Sequence, residues 1–259
     1  MSSVPNAPVF SQPRPTLQRV VAQSVFEVNT LLRNGEQLMV AFLLPLGLLV
    51  LLTQTSVMDI DTGGASRTDF FVPGIIAIAL MSSAFTSQAI STAFDRRNGV
   101  LRFLATTPLG RDGLLYAKTF AVLSIFALQF CVLVVLALFL GWDVSFAHIL
   151  LGLPALLLGI ATFTSAALFV AGTLRPEGVI ALANIILVVL IVGGGVLVPA
   201  SELPAWLAPV AQFLPSGALG DSLRAAFIDG TVHVGSLLIL TGWAALFSFA
   251  ARRYFAWQA

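Results

Sequence analysis

The residues best suited to chemistry in this chain lie together, between positions 95 and 118. The run opens Asp95-Arg96-Arg97-Asn98-Gly99-Val100-Leu101-Arg102 and continues through Thr107-Pro108, Arg111 and Asp112 to Lys118, five cations against two acids. Guanidinium groups at this density bind carboxylates and phosphates through paired hydrogen bonds. Recognition is therefore the chemistry on offer. Val100, Leu101, Phe103 and Leu104 add a short apolar face. Asp95 can favour a helix start through the dipole, Gly99 permits a sharp break, and Pro108 ends the segment. A helix of about two turns, half apolar and half basic, suits a cleft on a partner protein or a layer of anionic lipid heads.

Other chemistry finds little support. A phosphate-binding loop needs glycine immediately before its lysine, and Lys118, the only lysine, follows Leu114-Leu115-Tyr116-Ala117. His148 and His233 stand apart near the ends of apolar runs, and no metal-ligand cluster forms around them. Cys131 is alone in an apolar run, which reads as a buried, inert thiol. The chain is expected to be no enzyme by itself and to carry no cofactor, metal or nucleic acid. Polar residues inside apolar runs are few. Gln88 and Asn184 either bond neighbouring helices or line a path, and Gly193, Gly194 and Gly195 allow close packing or a flexible gate.

The elements that must position the charged run are membrane helices. Of 259 residues, 58% are hydrophobic and 10% charged, far from the quarter or so of charged residues in soluble domains. Runs near 38–57, 70–92, 118–141, 147–171, 179–198 and 235–255 each approach the length that crosses a bilayer. Phe71-Val72-Pro73-Gly74 opens the second, with proline where a helix start tolerates its missing N–H.

With the N-terminus inside, eleven cations fall on the inner side and two, Arg67 and Arg224, outside. Acids run the other way, with five inside and seven outside. Lys and Arg are retained on the cytoplasmic side during insertion, so both termini are expected there. No charge falls in the middle of a span, which argues against an ion-coupled relay. Twelve arginines against one lysine point to a GC-rich bacterial genome, hence a bacterial plasma membrane.

Three further segments complete the plan. Residues 1–15, with Pro5, Pro8, Pro13 and Pro15, read as a disordered cytoplasmic tail rather than a signal peptide. Residues 16–37 repeat Leu17, Val21, Val25, Val28 and Leu32 at helical spacing and stop at Asn34-Gly35, as an amphipathic helix at the inner interface or on a protein partner would. Residues 199–234, broken by Pro199, Pro204, Pro209 and Pro215, read either as short helices at the outer leaflet or as a packed extracellular cap.

Taken with these residues, the chain resembles the type-2 ABC transporter permeases, the membrane subunits of drug, lipid and polysaccharide exporters. The resemblance rests on Phe71-Val72-Pro73-Gly74, on Asp95 to Arg102 followed by Thr107-Pro108, and on Leu214-Pro215 with Leu223-Arg224. It covers nearly the whole chain. The common family loop reads E-R-E-x-G-T-L-E; Asp95, Arg96, Gly99 and Leu101 fit it, while Arg97 and Arg102 stand where acids are usual. That departure resembles the antibiotic-resistance-like branch.

The resemblance implies an all-α membrane protein: six transmembrane helices over 38–256, an interfacial helix, and a coupling helix, Asp95 to Arg102, in a cytoplasmic loop 93–117. It implies two ATP-binding subunits that carry ATP and magnesium, and a second permease, identical or homologous. Together the two permeases would enclose a path for a drug, antibiotic or lipid. A lipid or glycan exporter, or a non-transporting scaffold of such a complex, is the alternative.

Overall fold

The computed structural model describes residues 15–33, 35–55, 64, 66–105, 107, 109–198 and 203–255. Expectations placed on the tail before residue 15, on Asn34, Asp59, Asp61, Pro108, Pro199 and Glu202, and on the side chains of Glu36, Arg111 and Asp112, lie outside it. Every regular element among the described residues is helical. In order they are α1 (Thr16–Arg33), α2 (Gly35–Gln54), α3 (Arg67–Met81), a π-helical segment (Ser82–Ser87) running directly into α4 (Gln88–Arg97), and α5 (Val100–Ala105). There follow α6 (Gly110–Phe139), α7 (Phe146–Thr173), α8 (Pro176–Gly193), α9 (Ala208–Phe213), α10 (Pro215–Phe227) and α11 (Val234–Tyr254).

Arg67–Arg97, Tyr116–Phe139, Phe146–Thr173, Pro176–Gly193 and Val234–Tyr254 are long and apolar enough to cross a membrane. The chain is an all-α membrane protein. α2, the first of the six expected spans, contributes a shorter apolar stretch, Ala41–Gln54.

The axis of the fold is α3. Ser66 caps it, accepting from the Asp69 N–H at 3.0 Å and donating to Asp69 Oδ2 at 2.6 Å. Thr68 and every residue from Phe70 to Met81 are buried. Arg67 turns back onto the end of α2, donating to Leu52 O at 3.1 Å and Thr55 O at 2.7 Å, where a cation suits the last carbonyls of a helix. Because the helix starts at Arg67, Pro73 lies inside it rather than in its first turn, a correction to the sequence reading. The value of Pro73-Gly74 lies in Gly74: a Cβ there would stand 2.5 Å from Val196 O. The chain after α8 crosses α3 at that point.

The segment between α8 and α11 is built into the bundle. α9 and α10 form a hairpin packed on α3, α7 and α11, and α10 is buried on nearly every side. Leu219 reaches Gly159, halfway along α7, where a Cβ would meet its Cδ1 at 3.0 Å. Trp243 Nε1 holds the tip by donating to Phe213 O at 2.8 Å. Irregular backbone at such depth is tolerated where protein covers it. Among its described residues the segment holds short helices and packs tightly.

Arg224, counted among the outer cations and set in the short stretch 218–228 by the sequence reading, is buried, donating to Val196 O at 2.8 Å and Gly195 O at 2.5 Å and pairing with Asp221 Oδ1 at 3.0 Å. Cys131 is the converse. Expected buried, it is exposed on α6, beside Leu46, Val135 and Phe139. A membrane helix turns an apolar face to lipid, so an apolar run does not imply a buried one.

Candidate coupling site

One end of the bundle gathers the close of α4, α5, the start of α6, the turn between α7 and α8, the end of α11, and α1. The charged run expected to form one element is divided here. Asp95, Arg96 and Arg97 belong to the last turn of α4, Asn98 and Gly99 form a turn, and α5 starts at Val100. Gly99 has φ +75°, a conformation that costs a side-chain-bearing residue about 1 kcal/mol or more. It breaks the helix and redirects the chain. Asp95 is correspondingly not at a helix start; it closes a helix.

Of the four cations whose side chains are described, three are paired within the molecule. Lys118 is 1% exposed, and its Nζ lies 2.7 Å from Asp95 Oδ2 and 3.4 Å from Glu27 Oε2. This joins α6, α4 and α1 at one buried point. Gln23 Nε2 steadies Glu27 Oε1 at 3.1 Å, and Ser24 Oγ donates to Ala117 O at 3.2 Å just beside it. Arg96 is buried and donates through Nη2 to Leu174 O. Arg97 pairs with Glu177 Oε1 at 2.6 Å and lies over the Phe94 ring, 4.7 Å from its centroid. The two arginines thus clamp the α7–α8 turn to the end of α4.

What is left facing outward is α5. Leu101 is fully buried and anchors it, while Arg102 and Phe103 are exposed and Val100 is partly so. Thr107 closes the segment, its hydroxyl donating to Leu104 O at 2.6 Å. A one-turn helix with a buried leucine on one side and an arginine–phenylalanine pair on the other is a presented surface on a fixed mount. Phe103 is 70% exposed, which fits insertion into a partner's cleft.

The helix α1 is inverted relative to a soluble amphipathic helix. Val20 and Ser24 are buried on its inner face, with Gln23 and Glu27 beside them, whereas Leu17, Val21 and Val25 are 71%, 52% and 53% exposed. An apolar stripe turned away from the protein suits a lipid interface. Glu27 and Glu177 are the functional partners that sequence spacing did not announce, since each meets its cation only through folding.

Gln88, Asn184 and Gly193–Gly195 are not gathered into this site. Gln88 donates to Thr92 Oγ1 at 3.0 Å and borders a cavity of about 30 Å³, room for a water or two, beside Ser83, Ser87 and Ala41. Above it Ser83 donates to Gln129 Oε1 and Gln129 Nε2 to Ala41 O, both at 2.7 Å, so α2, α6 and the π segment are tied together. Asn184 is exposed on α8 and bonds its own helix at Ile180 O, 2.8 Å. Gly194 is wedged: a Cβ would lie 2.0 Å from Ser216 Oγ and 2.3 Å from Leu190 O. Gly195 turns the chain with φ +65° and offers its carbonyl to Arg224. Gly193 has open space around it.

Residues 16–228 match the family model described as ABC-2 type transporter. None of the curated proteins matches the chain.

Proposed function

The chain belongs to the ABC-2 type transporter family as a membrane permease component, and we propose that it is the translocating subunit of an exporter powered by a separate chain. In this reading two ATP-binding subunits hold ATP and magnesium. Two permeases, identical or homologous, enclose a path for a hydrophobic or amphiphilic cargo such as a drug, antibiotic or lipid. α2 is the first of six spans and α1 lies in the inner interface. The basic end faces the cytoplasm of a bacterial cell, with both termini on that side.

The observation that carries the reading is the presentation of α5. Arg102 and Phe103 point away from a mount fixed by Leu101, Arg96 and the Lys118 cluster, so a push on α5 reaches α4, α6 and α1 together. A partner that closes on ATP would rock these helices as a unit. Ser83, Gln129, Ser165 and Ser248 are spent on helix–helix contacts, which favours a cargo that asks for little hydrogen bonding.

The test uses the two exposed residues, because substituting buried Arg96 would disturb the fold. Arg102→Glu with Phe103→Ala is expected to weaken binding of the ATP-binding subunit at least tenfold in a reconstituted complex and to abolish cargo-stimulated ATPase. Unchanged binding and stimulation would sink the proposal. Gly99→Ala, which strains the turn, is expected to leave the protein folded and binding intact while lowering stimulation several-fold.

Orientation is read independently. In a chain with Cys131 replaced by Ala, Val232→Cys is expected to react with a membrane-impermeant maleimide from outside intact cells. Asn98→Cys is expected to react only after permeabilisation. The reverse pattern would invert the topology.

A further inference from the structure

The hairpin α9–α10 and the first turns of α11 enclose an open cavity of about 460 Å³, in the size range of small-molecule sites. Asp221, Arg224 and Ile239 line it, with Asp229 and His233 toward the connecting loop and Phe213 beside them. Most of its polar groups are already committed. The Arg224 guanidinium is shared among Val196 O, Gly195 O and Asp221 Oδ1. His233 Nδ1 meets Ser236 Oγ at 2.7 Å and accepts from the Ser236 N–H, capping α11.

Asp229 is different: it is exposed, and no hydrogen-bond or ion-pair partner for it exists among the described residues. Two carboxylates against one arginine leave the cavity with one uncompensated negative charge. Phe213 is 69% exposed, while its backbone is pinned by Trp243. An exposed aromatic ring on a fixed backbone, lining the same cavity as an unpaired carboxylate, Ala225 and Ile239, sets a clear chemical preference. An anion would face Asp229 unscreened, and a neutral apolar solute would cover the carboxylate without pairing it. A cation with apolar substituents answers both the charge and the ring.

We propose that this cavity binds an organic cation bearing apolar groups, as a free solute or as the ammonium head of a lipid. As a station on the way out of the membrane it rests on the exporter reading; as a binding site it does not.

The experiment measures radiolabelled tetraphenylphosphonium binding to the full chain in lipid nanodiscs, with empty nanodiscs subtracted and no ATP-binding subunit present. Saturable binding is expected, with tetraphenylborate, the same shape with opposite charge, failing to compete. Asp229→Asn is expected to weaken the site about threefold and Asp229→Asn with Phe213→Ala about tenfold, the double variant keeping the wild-type melting temperature. If phosphatidylethanolamine in the nanodisc competes with the probe, the occupant is a lipid head; if it does not, a free cation. Binding equal in wild type and double variant, or equal competition by tetraphenylborate, overturns the proposal. Since no ATPase takes part, its failure leaves the exporter reading standing, and failed coupling leaves this site standing.

Discussion

Lys118→Met is expected to be among the most damaging single substitutions at the end of the bundle that carries α5. The ammonium is 1% exposed and sits between Asp95 and Glu27, so methionine fills the volume but leaves two carboxylates facing each other without compensation. Removing one partner of a buried ionic cluster costs about 3–5 kcal/mol. At about 2–4 °C per kcal/mol for a chain of this size, the melting temperature should fall by about 6 °C or more.

Replacing all three groups, Lys118→Met with Asp95→Asn and Glu27→Gln, removes the uncompensated charge along with the pairing. Most of the lost stability should return. Coupling should not return, because α1, α4 and α6 would no longer be joined at a fixed point. Thermal unfolding of the purified chain and cargo-stimulated ATPase of the reconstituted complex read the two effects separately. A triple variant that recovers both would show that the cluster serves stability alone.

Arg224→Met strikes the other end with comparable force. The guanidinium satisfies two backbone carbonyls and one carboxylate where water has little access. Its loss orphans Gly195 O and Val196 O at the point where the chain crosses α3 beside Gly74. Each buried unsatisfied acceptor costs about 1–3 kcal/mol, and the abandoned Asp221 adds to that. The hairpin α9–α10 should loosen, and limited proteolysis from the outer side should cut near Ala205–Leu207. Arg224→Lys should rescue only in part, since one ammonium cannot reproduce the fork that spans two carbonyls and a carboxylate. Docking at α5 should be unaffected. Proteolysis unchanged from wild type, or loss of partner binding in Arg224→Met, would contradict this division between the two ends.

These effects mark where sequence was informative. Helix positions were legible because apolar length alone fixes a membrane helix, so Phe146–Thr173 and Val234–Tyr254 fall within two residues of the expected runs. The break at Gly99 was legible for a local reason, since glycine acts within one turn, whereas the expected apolar face of α5 is split between buried Leu101 and exposed Phe103.

Pairings across long separations were not. Lys118 reads as a boundary cation until folding brings Glu27, 91 residues earlier, within reach. The same holds for Arg97 and Glu177, 80 residues apart. Charge counting gave Arg224 a side but no partners, since its two carbonyl acceptors lie 28 and 29 residues earlier. Only the packing of α10 against Gly159 and Gly194 reveals the hairpin. One signal was present and unread: glycines at 152 and 159 on one face of α7, spaced to admit another helix.

The central claim is that energy enters through α5. The most direct measurement places a photoreactive benzoylphenylalanine at Phe103 in the full chain, co-expressed with the ATP-binding subunit, and compares it with the same group at Trp206 at the opposite end. Both positions are exposed, at 70% and 75%. The account predicts that irradiation cross-links the ATP-binding subunit from position 103 and not from 206, with a yield that changes when ATP is trapped. Equal yields from both positions, or none from 103, would contradict it.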